Sequence, residues 1–414
     1  MKTAAKLGIV AAVAIAAGCS YPICAYVSGA AFDKHLAELA SSVPDGFRLN
    51  AQTAASSLFS RSFRVEVAML DDRGGELGSA VWNGTADLGY GVDVHASLDM
   101  SSGLGALLES AGIRGYRDEV LVKIGLTGQV SQALWRVPNG FTVSEANASC
   151  RIEPVTLLSK PQKGGYAGTL TVKGLACESL GSAGAFGAGQ AFSVKDLSVD
   201  VAGRADGSEE TTVRTGALAA DGLAAESTVA HATVALSKEK AKPRSNGEPQ
   251  RAWDHVYSFE AVKPQAAGRT GDRFIFKSRL TGLTDEIVES GTAFLQMAAL
   301  GGAPMQNASL LVGLGLLQDA FVKGGLAWDL DACDWTMGGK TARLAGRLAY
   351  QAPQKSGDPM QIGAFSLSIP QEMTKPDDLA VPVARGQMKL IDGNFVSEIR
   401  ITSEGATANG VPVL

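Results

Sequence analysis

The chain predicts an α+β protein: an N-terminal membrane-anchor helix, then an extended, mostly antiparallel β-sheet body with a helical hairpin near 284–322. Three observations predict it. Lys2 and Lys6 precede an uncharged run from Leu7 to Ala31. Apolar and polar residues alternate through most of the chain beyond Ala31, with 49 glycines and only 6% aromatic residues to punctuate and fill the strands. Two apolar stretches, 284–300 and 305–322, instead repeat at helical spacing.

As a helix, Leu7–Ala31 would reach about 37 Å, enough to cross a hydrocarbon core of roughly 30 Å. The lysines ahead of it favour a cytoplasmic N-terminus and an exported body. Three tethers stay open. Residues 1–31 form an uncleaved signal anchor in the leading reading. A cleaved secretory signal would use Ser28-Gly29-Ala30, and a lipoprotein signal would use Ala16-Ala17-Gly18-Cys19, with Cys19 lipidated.

The body begins with Phe32, Leu36 and Leu39, whose spacing predicts an amphipathic helix over 31–42. In Arg61–Leu70, Phe63, Val65, Val67 and Met69 alternate with Arg64, Glu66 and Ala68, which predicts a half-buried strand. Asp71-Asp72-Arg73-Gly74-Gly75 turns the chain toward a second strand near 78–83, and 104–111 predicts a brief helix. Strands dominate from 117 to 236. Phe192 and Val194 lie one residue out of phase with Leu197, Val199 and Val201, which predicts a β-bulge at Lys195-Asp196.

The segment 237–250, SKEKAKPRSNGEPQ, has almost no apolar residue and contains two prolines. It reads as a boundary or long exposed loop between a β-rich half, 32–236, and a second half, 251–414. Strands resume after the helical hairpin. Phe365, Leu367 and Ile369 alternate cleanly, and Asp392-Gly393-Asn394 and Asn409-Gly410 predict tight turns.

Five cysteines are present. A two-residue turn at Lys163-Gly164 pairs residues whose numbers sum to 327, and Cys150 and Cys177 satisfy that sum. An oxidising compartment would then allow a cross-strand disulfide between them; two buried thiols on unrelated strands is the alternative. Pro154 inside the first arm predicts a strand at a sheet edge. Cys333 shares a predicted strand face with Asp329 and Asp331, whose carboxylates would raise its pKa, so it reads as a packed thiol.

A net charge of -5 argues against a nucleic-acid partner. The four histidines, His35, His95, His231 and His255, have no metal-ligand spacing. Neither a Walker A pattern nor a Gly-x-Ser-x-Gly elbow occurs, and 181–189 is glycine-rich without the strand-to-helix context of a phosphate loop. Asp71-Asp72 and Asp377-Asp378 read as turn carboxylates. The sequence therefore names no catalytic residue, cofactor or metal.

Three places resemble the YdgA-like family of bacterial envelope proteins, a family without an established activity. Tyr26-Val27-Ser28-Gly29 before Phe32-Asp33-Lys34-His35-Leu36 resembles its exit from the membrane into an amphipathic helix. Ser57-Leu58-Phe59-Ser60-Arg61-Ser62 resembles its Gly-apolar-Phe-Ser-Ser motif, with Ser57 in place of the glycine and Arg61 in place of the second serine. Asp392-Gly393-Asn394-Phe395, with Glu404-Gly405 and Asn409-Gly410, resembles its closing strands. The resemblance implies an inner-membrane anchor and a periplasmic β-rich body, and it supplies no active-site residues.

The expectation is thus a non-enzymatic protein of the cell envelope, anchored in the inner membrane by 7–31, with a structural or partner-binding role. The alternative is a carrier of lipid or another apolar ligand in a β-sheet groove.

Overall fold

The computed structural model describes residues 24–38, 46–71, 73–145, 148–179, 191–220, 222–238, 243–244, 246–266, 268–300, 320–351, 361–375, 379–402 and 405–413. Cys19 and its lipobox, residues 7–23 of the uncharged run, the glycine-rich 181–189, Gly301–Pro304 and Asp377-Asp378 lie outside the described residues. The chain divides into two units, Met1–Asp200 and Val201–Leu414. Both are mostly antiparallel sheet with few helices.

The first unit is a meander. Phe47–Ser56, Ser60–Leu70, Glu76–Leu88 and Gly91–Leu98 follow one another, each paired with the next. Glu119–Gly125, Val130–Val137, Val155–Gln162 and Gly165–Ser179 continue in the same order. Ile113–Arg114, Phe141–Glu145 and Ala148–Ile152 extend the last strands beyond breaks at 138–140 and 153–154. As the turn at Lys163-Gly164 dictates, Gln162 pairs with Gly165, and the same register runs to Cys150 opposite Cys177. Their Cα atoms lie 4.0 Å apart and a disulfide joins them.

Pro154 departs from the expected edge position. Val155–Gln162 has a neighbour on each side. The missing N–H falls in the break at 153–154, while Glu153 N donates to Gly174 O at 2.8 Å and Lys173 N to Pro154 O at 3.1 Å, so one ladder passes through unbroken.

A helix over 24–38 covers one end of this sheet. Ala25, Ser28, Phe32 and Leu36 recur at three- and four-residue spacing and are buried against Phe63, Ala86, Leu88, Val92, Val94 and Ile124. Ser28 Oγ donates to Gly89 O at 3.3 Å, and Arg61 pairs with Asp33 at 3.4 Å. Residues 24–31, the end of the uncharged run, are thus helix packed on the body. Among the described residues no helix is long and apolar enough to cross a membrane.

Ser57 and Ser60 knit the turn before the second strand, Oγ to Oγ at 2.9 Å, and Arg61 Nη1 donates back to the carbonyls of Ser57 and Ser60. The alternation expected of 61–70 holds at Phe63 but breaks at its end, where Ala68 is 1% and Met69 47% exposed. The cause is a second cover. Helix Gly103–Ser110 lies on the opposite side, with Gly103 close over Ser79, the cross-strand partner of Ala68. Lys195 and Asp196 are consecutive exposed residues within strand Ala191–Arg204, and Asp196 has φ 48°, the expected bulge.

In the second unit Glu209–Thr215, Ser227–Leu236, Ala252–Val262, Arg273–Thr284, Ala327–Met337, Lys340–Tyr350, Gln361–Pro370 and Asn394–Thr402 pair in sequence order. The charged segment 237–250 connects two adjacent strands of this unit, and the division between units falls at Asp200/Val201 instead. Within the segment Arg244 pairs with Glu289 at 2.8 Å. Of the expected helical hairpin, Asp285–Leu300 is a helix; the described part of the second arm is helical over 320–324. Turns at Asp392-Gly393 and Asn409-Gly410 take the left-handed backbone that two-residue hairpins need.

Candidate ligand-binding face

The pairing registers of the second unit align residues from distant parts of the chain. Val213, Ala230, Phe259, Phe276, Cys333, Leu344 and Leu367 stand abreast in one row across seven strands. Adjacent on the same face, Ala232, Tyr257, Ser278, Leu330, Gly346, Phe365 and Ile399 form a second row. At about 4.8 Å per strand, a seven-strand row spans roughly 29 Å.

The opposite face is polar, and ion pairs lace neighbouring strands there: Glu260–Arg273 at 2.7 Å, Asp334–Arg343 at 2.6 Å and Asp329–Arg347 at 3.5 Å. Arg273 beside Glu260 holds that carboxyl below its ordinary range. The sheet is thus apolar on one side and charged on the other, the division that period-two alternation produces.

On the apolar side the aromatic rings form a loose mosaic: Phe259 to Phe274 at 6.0 Å, Phe274 to Trp335 at 6.2 Å and Trp328 to Phe365 at 6.1 Å between centroids. Gly346 makes room for Phe365, because a Cβ there would meet the ring at 2.4 Å. Helix Asp285–Leu300 and residues 320–326 cover one end, where Ile287, Ala320 and Leu326 pack with Leu280, Leu283, Phe321 and Tyr350. Away from that end the rings stay half-buried, and Tyr257 is 38% exposed. A concavity of about 310 Å³ opens there, lined by Val213, Ala230, Ala232, Tyr257, Phe259 and Phe276. Small side chains between aromatic ones leave an apolar trough.

A bulge at 331–332 keeps this face continuous. The register of Ala327–Met337 shifts there against both neighbours, so Leu330 and Cys333 point the same way. This corrects the expected company of Cys333, which shares a face with Leu330 and Trp335 rather than with Asp329. Its thiol is pushed up, first by burial and then by the adjacent Asp334.

The histidines play minor parts. His231 Nδ1 shares a 2.8 Å hydrogen bond with Thr212 Oγ1 on the polar face, and His35 Nε2 contacts Gly128 O beneath the first helix. His255 lies on the apolar face, hydrogen-bonded to Tyr257 at 2.8 Å, and burial pushes its pKa down. His95 lines a concavity of about 530 Å³ in the first unit, where Thr85, Ser97, Glu119 and Arg136 stand beside Val120 and Leu121. Glu119 and Arg136 neutralise each other there at 2.5 Å. Among the described residues no group of three or more histidine, cysteine or carboxylate side chains is placed to hold a metal.

Sequence reasoning passed over the aromatic core of the face, Tyr257, Phe259, Phe274, Phe276 and Trp335. The signal was present. Tyr257 and Phe259 alternate with Ser258 and Glu260, and Phe274 and Phe276 with Arg273 and Lys277. No family model matches the chain, and no curated protein or solved structure matches it either.

Proposed function

We propose that this protein is a membrane-tethered binder of acyl-chain lipid in the cell envelope, holding the chain along the apolar face of its second unit. The carrying observation is the two-faced sheet, charged and internally paired on one side, with half-exposed aromatic rings flanking a trough of small side chains on the other. A sheet serving as scaffold alone gains nothing from leaving rings half in water, whereas each methylene of a bound chain removed from water contributes roughly 0.8 kcal/mol.

Three observations support an exported body: Lys2 and Lys6 before the uncharged run, the Cys150–Cys177 disulfide, which an oxidising compartment maintains, and the YdgA-like resemblance. In this reading the residues before Cys24 supply the tether in the inner membrane and the body lies in the periplasm. The sequence expectation of ligand carriage is thereby preferred to a purely structural role.

The test is extraction of the full chain in mild detergent, followed by native mass spectrometry and lipid analysis. Co-purifying lipid is expected, together with a blue shift of tryptophan emission when the delipidated protein is mixed with a fatty acid, as Trp328 and Trp335 lose water. Phe276→Asp places a charge mid-trough and should abolish both signals. Lipid-free protein whose emission ignores the fatty acid refutes the reading.

A further inference from the structure

The first unit carries a separate feature that the apolar face does not use. Arg114 pairs with Thr142, and Thr142 pairs with Arg151. Two guanidinium-bearing residues therefore flank one hydroxyl across three neighbouring strands, on the same side of the sheet, with Cα atoms about 10 Å apart at the usual strand spacing. All three line an open concavity of about 530 Å³, together with residues of the turns at Gly115 and at Asn139-Gly140. Both arginines are exposed, and among the described residues neither has an ion-pair or hydrogen-bond partner. By contrast Arg136, Arg273, Arg343 and Arg347 each have a carboxylate on the neighbouring strand.

The acid nearest in sequence does not answer them. Glu153 lines the same concavity, but its side chain is laid against Gly174, where an added Cβ would come within 2.8 Å of the carboxylate. Two exposed guanidinium groups about 10 Å apart on one face, with a hydroxyl between them and no bonded carboxylate, leave an unbalanced positive patch. An anion with three or more oxygens relieves it. Each arginine offers a planar fork of donors matched to oxyanions, and the Thr142 hydroxyl supplies a further donor between them. A carboxylate engages both its oxygens with one bidentate arginine, whereas a phosphate can do the same and still present further oxygens to the second arginine and the threonine.

We propose that Arg114, Thr142 and Arg151 form a binding site for a phosphate group, either free or carried as a lipid headgroup. The site stands on the first unit alone and does not depend on the apolar face of the second.

The experiment uses the full chain in detergent. Inorganic phosphate and pyrophosphate are titrated calorimetrically, and flotation is measured with vesicles of phosphatidylglycerol and of phosphatidylcholine after reconstitution. Arg114→Met and Arg151→Met should each weaken binding about tenfold or more. Arg136→Met, which removes a guanidinium already tied to Glu119, should leave it unchanged. Glu153→Gln should tighten it.

Saturable binding of the soluble anions identifies a free phosphate as ligand. Preferential, arginine-dependent capture of phosphatidylglycerol vesicles without soluble-anion binding identifies a headgroup. Binding in neither arm, or binding that the two methionine variants leave intact, overturns the proposal. So does an Arg151→Lys variant that binds as well as the original, because a diffuse charge rather than a fork would then suffice. Folding of each variant is checked by the retained Cys150–Cys177 disulfide and by an unchanged unfolding midpoint.

Discussion

Replacing Cys150 and Cys177 together by serine removes a cross-link between residues 27 apart in sequence. The native hairpin should survive the change. Its arms pair from Val155–Val172 to Gln162–Gly165, and the outer arm is paired again on its far side to Val130–Val137 and Phe141–Glu145. The effect therefore falls on the unfolded ensemble, which regains the freedom the bond had withdrawn. For a loop of this length the chain-entropy model gives about 3.6 kcal/mol at room temperature. Urea denaturation with a probe in the first unit should show a loss near that size, and reduction of the unaltered protein should reproduce it. Hydrogen exchange should accelerate in Ala148–Ile152 and Gly165–Ser179, the strands the bond joins. A loss below about 1 kcal/mol would refute the reasoning, meaning either that residual denatured structure already holds the arms together or that the thiols are not bonded.

Two further perturbations test the first unit. Gly84→Ala places a Cβ within 2.4 Å of both the Phe63 ring and the His95 carbonyl, so it should destabilise by about 1–3 kcal/mol in thermal unfolding; a neutral result would mean that Phe63 does not lie across that strand. Burial, with Asp118 second, pushes the Tyr116 phenol from 10.0 up to about 12. The unfolded chain then ionises first as pH rises, so the stability is whole below pH 10 and declines toward pH 12. Tyr116→Phe should flatten that alkaline decline in urea midpoints measured against pH, and an unchanged slope would show that another group is responsible.

Local turn chemistry was legible wherever backbone geometry leaves few choices. Lys163-Gly164 set a register that reached Cys150 and Cys177, and Asp392-Gly393 and Asn409-Gly410 closed the last hairpins. The phase slip at Lys195-Asp196 could be read because the apolar sets on either side of it were long. The equivalent slip at 331–332 is hidden in the sequence, since acidic residues at 329, 331 and 334 blur the alternation, and simple alternation then sets Cys333 on the wrong face. Residues 24–31 belong to the uncharged run of the sequence, and absence of charge suits a membrane segment and a helix packed closely on a sheet alike. Met69 departed from its alternation because helix Gly103–Ser110, remote in sequence, covers the other side. The apolar face was the least legible part. Val213 and Leu367 share a row only after six intervening pairings are known, so no window of sequence contains the site.

The helix over 24–38 sets a limit on how this protein is processed. Ala25 and Ser28 are wholly enclosed, and Ser28 reaches the carbonyl of Gly89. Peptidase action around Ser28-Gly29-Ala30 would not free a finished body: it would strip the roof from Leu88 and Val92 and open the adjoining strands to water. A cut at that point would therefore remove part of the core of the first unit.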